Sequence, residues 1–326
     1  MPTQRSGSGR SRGRGGSSGV TRRGFLSSTG AAGATVLASA LGGCVGSPGS
    51  VAGVGASGGS DEPVSVLAAG SLQLAFSEGL RAVVGRPLQV EAHGSVTAAR
   101  LVAGERRDPD VVALADTALF DGPLATDWHA TFATNALVVA YDEGSEGGRR
   151  VGEADRWFDP VLAGEATLGR TDPDLDPLGY RTLFALDLAG EYYDRPGLRE
   201  ALVEPRQVYP ETSLLSRFET GDLDAAVVYR SMAADRGYDH VELPDAVDLS
   251  DPSRTEEYAA VSYDLPSGET VRGAPVEYGA VARRDGDRVA ETFDALVAGD
   301  YLADHGFALP ESYPEYSGDV PRGLRP

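Results

Sequence analysis

Short apolar runs alternate with amphipathic stretches along much of the chain. An apolar run at 64–69 is followed by a helical pattern of apolar positions over 72–84. A strand at 88–92, a helix at 96–103 and a strand at 111–115 continue the series. This β-α-β-α-β order predicts a parallel sheet, and ligands of such sheets bind beyond the carboxyl ends of the strands.

The alternation restarts after a strong apolar strand at 136–141. A strand, a Pro/Asp turn and a helix from about Pro177 come next, followed by a strand and a helix within 222–235. A last strand within 274–284 precedes one long helix predicted over 287–306. These elements predict a second α/β lobe, after which the chain returns to the first.

Two α/β lobes with a cleft between them are the simplest arrangement of these elements. We predict that 62–136 and 276–326 form the first lobe and that 137–275 form the second. Residues 1–43 would be an export signal, and 44–61, rich in Gly, Ser and Val, would be a flexible tether.

The first sixty residues indicate an exported lipoprotein. Arg22 and Arg23 precede a weakly apolar segment, an order that resembles a twin-arginine export signal. The sequence LGGC, ending at Cys44, resembles a lipobox, in which cleavage before the cysteine leaves it lipid-modified. A plain anchor with an incidental cysteine is the alternative. We expect an extracytoplasmic protein held at the cell-surface membrane by lipid on Cys44.

The charge of the chain limits its partners. The sequence has 326 residues with 29 basic and 49 acidic side chains, and it contains no lysine. Six arginines precede Cys44, so the remainder has 23 arginines against 49 acids, a balance of −26. Such a surface argues against a nucleic-acid partner. It is typical of halophilic proteins, the alternative being an arginine-rich codon bias with ordinary acidity.

Missing residue types exclude several kinds of site. A chain without lysine has neither the usual P-loop nor Schiff-base chemistry. A single cysteine excludes an intrachain disulfide and cysteine-rich metal sites. No nucleophile–base combination and no regular histidine spacing indicates catalysis. We therefore expect a binding protein without a resident cofactor, and not an enzyme.

Two predicted strands end in the same dipeptide. Gly70–Ser71 follows the first strand, Gly94–Ser95 follows the second, and each dipeptide precedes a helix. The first N–H groups of a helix lack intrahelical partners and lie at its positive end, and glycine lets an anion approach them. Serine is also a common N-cap residue, which is the alternative role for each. Because both turns meet at one sheet edge, we predict an oxyanion between them.

Six stretches, taken in order, resemble archaeal tungstate/molybdate-binding proteins of ABC transporters. They are AAGSLQLAF, AHGSVTAARLV, DVVALADTALF, FATNALVVAY, DPLGYR and VVYRSMA. The resemblance implies a type II periplasmic-binding-protein fold, with two α/β lobes, a two-strand hinge and an oxyanion in the cleft. It also implies molybdate or tungstate as the ligand, with the permease and ATPase of an ABC importer as partners. We expect a monomer.

The resemblance assigns roles to single residues. Ser71 and Ser95 would bind oxyanion oxygens through their hydroxyls and backbone N–H groups, beside the glycine that precedes each. Asp176, in LDPLGYR, matches a carboxylate that ligates the metal centre of the oxyanion directly. The alternative for Asp176 is a plain N-cap before Pro177.

One position departs from these relatives, which have a glutamate directly before the Tyr-Arg/Lys-Ser run. This chain has Val228 there. With that carboxylate missing, we predict a tetrahedral anion held by hydrogen bonds, with Tyr229 as a donor; a core aromatic is its alternative role. Arg181 and Arg230 could clamp an anion, but surface positions or ion pairs with acids are favoured.

Three functions remain open at this point. A binding lipoprotein for molybdate or tungstate is favoured. The same fold with another oxyanion, such as sulfate or phosphate, is the first alternative, although the Asp176 carboxylate disfavours a fully charged ligand. An anchored hydrolase is the second alternative, and no residue pattern supports it.

Overall fold

The structure is a computed structural model that describes residues 62–324. The export signal predicted at 1–43, the tether at 44–61 and the lipidation site at Cys44 lie outside the described residues. All three therefore remain predictions.

Strands and helices alternate through most of residues 62–324. The strands are β1 (Val64–Ala69), β2 (Leu88–His93), β3 (Val111–Leu114), β4 (Trp128–Asn135), β5 (Leu137–Tyr141), β6 (Leu168–Thr171), β7 (Val208–Tyr209), β8 (Ala225–Tyr229), β9 (His240–Glu242), β10 (Ser262–Asp264), β11 (Thr270–Arg272), β12 (Val276–Ala282) and β13 (Glu315–Gly318). The α-helices are α1 (Arg81–Val84), α2 (Ser95–Ala103), α3 (Ala118–Asp121), α4 (Glu146–Glu153), α5 (Asp159–Leu162), α6 (Pro177–Tyr192), α7 (Leu198–Leu202), α8 (Glu211–Glu219), α9 (Arg230–Arg236), α10 (Thr255–Tyr258), α11 (Asp287–Val297) and α12 (Tyr301–Asp304). Short 3₁₀ segments cover Gly70–Leu72, Pro205–Gln207, Pro252–Arg254 and Arg322–Leu324, and a π-helix covers Ala75–Leu80.

The first sheet has the strand order β13-β4-β12-β3-β1-β2. Strand β1 pairs in parallel with both β2 and β3, so the parallel unit predicted from the sequence is confirmed. Ala69 is in register with His93, so the two Gly-Ser turns that follow β1 and β2 emerge side by side. The antiparallel β12 lies between β3 and β4 and returns the chain to this sheet.

The second sheet has the strand order β7-β6-β8-β5-β9. Strand β6 pairs in parallel with β7 and with β8, whereas β5 is antiparallel to β8 and β9. The carboxyl ends of β6, β7 and β8 therefore lie at one edge, and the segments that follow them enter the same region.

The chain passes between the sheets twice. Only Ala136 separates the end of β4 in the first sheet from the start of β5 in the second. The chain leaves the second sheet after β9, forms the β10–β11 hairpin and re-enters the first sheet at β12. The lobe limits drawn from the sequence remain a prediction.

Burial explains why the sequences of the strands are runs of apolar residues. Every residue of β3 and β8 is buried, as expected for strands covered on both faces. Most of α6 is buried as well. No helix within residues 62–324 combines the length and apolarity needed to cross a bilayer.

The helix predicted over 287–306 is wrong as a single element. The structure has two helices there, α11 and α12, which are separated around Gly299. Glycine is a poor helix former, and a Cβ at this position would overlap the ring of Tyr301. The sequence pattern also missed β4 and α8, and the second of these supplies a site residue.

Candidate binding site

The six residues predicted for the site lie at or beyond the carboxyl ends of parallel strands. They are Gly70 and Ser71 after β1, Gly94 and Ser95 after β2, Asp176 after β6, and Tyr229 at the end of β8. Strands from both sheets thus direct polar groups towards one another. A Cβ built on Gly94 would lie 2.9 Å from the Cβ of Asp176, which places the second turn against this acid.

The first Gly-Ser turn holds a carboxylate. The Gly70 N–H donates to Oε2 of Glu211 at 2.9 Å, and the Ser71 N–H donates to Oε1 at 3.0 Å. Glu211 is the first residue of α8, and its exposed fraction is 4%. A Cβ on Gly70 would overlap this carboxylate, so the contact requires glycine. The turn therefore binds a carboxyl group that the protein itself supplies.

The second Gly-Ser turn packs against backbone. A Cβ on Gly94 would lie 2.6 Å from the carbonyl oxygen of Leu175. That carbonyl accepts a hydrogen bond from the Thr97 N–H at 3.1 Å. The turn is thus fixed to the segment that leads into Asp176.

The N-cap role considered for the two serines is wrong. The cap positions are Ala69 and Gly94, and neither makes a side-chain capping bond. The Ser71 hydroxyl accepts a hydrogen bond from the Tyr278 hydroxyl at 3.0 Å. The fully buried Ser95 hydroxyl accepts one from the Ala115 N–H at 3.0 Å. The Ser95 hydroxyl proton is therefore left to donate to a ligand, whereas the Ser71 hydroxyl also stabilises the Glu211 carboxyl and would turn from it to a ligand.

Asp176 is buried without a hydrogen-bond partner. Its exposed fraction is 2%, and neither carboxylate oxygen receives a hydrogen bond of ordinary geometry from the described residues, although the Thr171 hydroxyl and the Leu178 N–H lie near enough to oppose the rise of its pKa. It occupies the N-cap position of α6 but makes no capping bond. Burial raises the pKa of the Asp176 carboxyl above its usual range. Because buried polar atoms nearly always have partners, two free oxygens indicate a place where a ligand or a proton binds.

Asp176 and Glu211 form a pair of buried acids. Burial raises the pKa of Glu211 well above its usual value, and the negative charge of Asp176 raises it further. The N–H groups of Gly70 and Ser71 oppose this shift, since they stabilise the carboxylate. No cluster of three or more His, Cys, Asp or Glu suited to a metal ion occurs within residues 62–324.

Tyr229 is buried and tied to Arg181. Its hydroxyl accepts a hydrogen bond from Nη1 of Arg181 at 2.9 Å. Burial raises the pKa of Tyr229 well above its usual value, so the hydroxyl keeps its proton. That proton can be donated to an oxyanion, which is consistent with the predicted donor role and also with a core position.

Arg181 is not a surface charge. Its guanidinium is buried, donates to the Ala115 carbonyl and pairs with Asp116 at 3.3 Å. The ion-pair interpretation therefore applies to Arg181. Arg230 is partly exposed and pairs with Glu242 at 2.7 Å. Neither arginine is left free to clamp an anion.

Val228 lies inside β8, where it is fully buried and in register with Val138. Its apolar side chain offers no ligand group. A carboxylate is nevertheless present in this region, because Glu211 enters from α8.

Glu211 is the site residue that the sequence analysis missed. The apolar residues Leu214, Leu215 and Phe218 follow it at helical spacing and are buried, which is the signal that would have placed α8. No sequence pattern would have paired Glu211 with Gly70, which lies 141 residues away.

The sequence comparisons agree on one family. Residues 64–303 match the family described as bacterial extracellular solute-binding protein. A Haloferax volcanii protein with the provisional name of ABC transporter molybdenum-binding protein is 52% identical over 304 residues, covering 92% of this chain and 96% of the relative. The molybdate/tungstate-binding protein WtpA of Thermococcus kodakarensis is 32% identical over 226 residues, covering 60% of this chain and 64% of that protein.

The structural comparison supports the fold. The periplasmic molybdate-binding protein of Azotobacter vinelandii aligns with a TM-score of 0.52 at 13% identity, covering 76% of this chain and 100% of that one. The predicted two-lobed α/β fold is therefore confirmed. The prediction that the protein is not an enzyme is also confirmed, because its family and these relatives are named as binding proteins. The chain belongs to the family of bacterial extracellular solute-binding proteins.

Proposed function

We propose that the protein captures molybdate or tungstate outside the cytoplasm and passes it to the permease and ATPase of an ABC importer. The names of the Haloferax and Thermococcus relatives support this ligand class. The observation that carries the proposal is the Gly70–Ser71 turn, whose two N–H groups already hold a carboxylate beside the unpartnered oxygens of Asp176.

The binding groups suit a tetrahedral oxyanion. The N–H groups of Gly70 and Ser71 would bind its oxygens, and the hydroxyls of Ser71, Ser95 and Tyr229 would donate to the others. A dianion close to an ionised Asp176 is repelled unless the carboxylate is protonated or finds an electropositive partner. The metal centre of molybdate or tungstate is such a partner, whereas the sulfur of sulfate does not accept a further oxygen ligand.

The coordination number is part of the proposal. Since Val228 provides no carboxylate, we expect Asp176 to be the one acid beside the metal centre, with the remaining contacts made by hydrogen bonds. X-ray absorption on the tungstate complex tests this. Four-coordinate tungsten supports the tetrahedral form, in which Asp176 lies beside the metal centre without bonding to it. Five- or six-coordinate tungsten would mean that one or two protein groups bind the metal.

The attachment to the membrane is proposed from the sequence. Members of this family are extracellular, and Cys44 would hold this one to the membrane through lipid. Cys44→Ser should release the exported protein into the medium, and retention of the fully processed variant on the membrane would contradict the lipobox. Replacing Arg22 and Arg23 with lysine should block export, and unchanged secretion would contradict the twin-arginine signal.

The acidic surface is proposed to be an adaptation to high salt. The Haloferax relative supports this proposal. At molar salt the Debye length is about 3 Å, so distant acids do not repel an incoming oxyanion. We expect a monomer that needs no resident cofactor. Oxyanion binding should strengthen as salt rises, and stronger binding at low salt would contradict screening.

Titration calorimetry in molar KCl at neutral pH tests the ligand class. The expected result is one molybdate or tungstate per chain, bound more tightly than sulfate or phosphate. Tighter binding of sulfate or phosphate would support the alternative oxyanion instead. Turnover of an ester substrate in the same solution would contradict the assignment as a binding protein.

A further inference from the structure

We propose that Glu211 sets the affinity of the site by competing with the bound oxyanion for the N–H groups of Gly70 and Ser71. This inference rests on the proposed function, because it assumes that the ligand uses those two donors.

The contact has the form of an occupied anion site. Each carboxylate oxygen of Glu211 accepts one hydrogen bond, and each of the two N–H groups has one acceptor. The side chain is buried, so the bonds are shielded from water. Glu211 begins α8, which follows β7 of the second sheet, while the N–H groups follow β1 of the first sheet. A side chain that follows one sheet thus occupies the two N–H donors that follow the other.

Glu211 and an oxyanion cannot use these donors together. A backbone N–H has one proton to donate, and both protons are directed at the Glu211 carboxylate. Gly70 has no free space on this side, since even a Cβ would overlap the carboxylate. An oxyanion that binds to Gly70 and Ser71 therefore displaces Glu211.

Displacement weakens the apparent binding of the ligand. When only a fraction of the molecules has the donors free, the apparent Kd is the intrinsic Kd divided by that fraction. The Glu211 carboxyl presents one oxygen to each N–H group, whereas an amide has only one acceptor oxygen, so the carboxyl is a stronger competitor than an amide. A negative charge on Asp176 disfavours the ionised form of Glu211 and so works against this occupation.

Three substitutions separate competition from simple charge repulsion. Glu211→Gln removes the charge but keeps the length of the side chain. Glu211→Asp keeps the charge nearby, but its side chain is one methylene too short to place both oxygens on the two N–H groups. Glu219→Gln makes the same chemical change at the last residue of α8, far from the turn, and serves as the control.

Titration with molybdate and with sulfate measures the effect on each variant. We expect Glu211→Gln and Glu211→Asp to bind both anions about tenfold more tightly than the wild-type protein, and the control to be unchanged. Tighter binding in Glu211→Gln alone would show charge repulsion without competition and would overturn the proposal. Weaker molybdate binding in both, or no change, would also overturn it.

A measurement on the wild-type protein covers the case in which a variant does not fold. The amide NMR signals of Gly70 and Ser71 report on their acceptor, and both should shift when molybdate replaces the carboxylate. Binding that leaves both signals in place would overturn the proposal. If neither the wild-type protein nor the Glu219→Gln control binds any oxyanion, the proposed function fails; oxyanion binding that is insensitive to Glu211 contradicts the competition alone.

Discussion

The two Gly-Ser turns have the same local sequence pattern but different partners. At Gly70–Ser71 both N–H groups bind the side chain of Glu211, which we propose is displaced by the oxyanion. At Gly94–Ser95 the glycine packs on the Leu175 carbonyl, and the serine hydroxyl is held by a backbone N–H. The first turn therefore holds a side chain from another helix, while the second fixes the position of the segment that carries Asp176.

This difference separates what local sequence determines from what tertiary packing determines. The strand-Gly-Ser-helix pattern determines that the chain turns and that N–H groups are exposed at the sheet edge. The partner of those N–H groups is determined by α8 and by the segment before α6, which are distant in sequence. Two turns with one pattern thus acquire two roles.

The largest expected difference between the turns is in the stability lost when each glycine is replaced by alanine. Gly94→Ala places a Cβ 2.6 Å from a backbone oxygen that cannot move alone, so the free energy of unfolding should fall by about 3 kcal/mol. Gly70→Ala meets the end of a flexible side chain, so its loss should be about 1 kcal/mol, from the displaced hydrogen bonds. Denaturant unfolding of both variants measures the difference, and equal losses would contradict the distinction.

Replacing the serine of the second turn should also cost more stability than replacing the serine of the first. Ser95→Ala leaves the buried Ala115 N–H without an acceptor, which should lower the free energy of unfolding by about 2 kcal/mol. Ser71→Ala removes an acceptor for the Tyr278 hydroxyl and a hydroxyl beside the Glu211 carboxyl, but it leaves no backbone N–H without an acceptor, so a loss of about 1 kcal/mol is expected. Both variants should weaken oxyanion binding by about 1–3 kcal/mol in calorimetry. Wild-type affinity in both would exclude the serines from the site.

The smallest effect concerns the acid beside the second turn. Asp176→Asn removes a buried charge without partners, so the ligand-free protein should gain about 1 kcal/mol of stability at neutral pH. The raised pKa means that the folded protein holds the Asp176 proton more tightly than the unfolded chain does. Ionisation therefore destabilises the fold as pH rises above the ordinary aspartate range. The gain should vanish below that range, and a gain that persists in acid would contradict this cause.

The sequence predicted the parts of the site that depend on local pattern. The order of β1, β2 and β3, the positions of both turns, and the start of α6 at Pro177 all follow from apolar periodicity and turn residues. The partners of those parts depend on packing between the sheets, which local pattern does not contain. Glu211 was missed for this reason. The capping role considered as the alternative for the two serines is excluded because the cap positions are Ala69 and Gly94.

A crystal structure of the protein with tungstate, located by anomalous scattering, tests the central claim most directly. We expect one tungsten atom near Gly70 and Asp176, with oxyanion oxygens on the N–H groups of Gly70 and Ser71 and the Glu211 carboxylate moved off them. A tungsten atom elsewhere, or a Glu211 carboxylate still bonded to both N–H groups in the complex, would contradict the account.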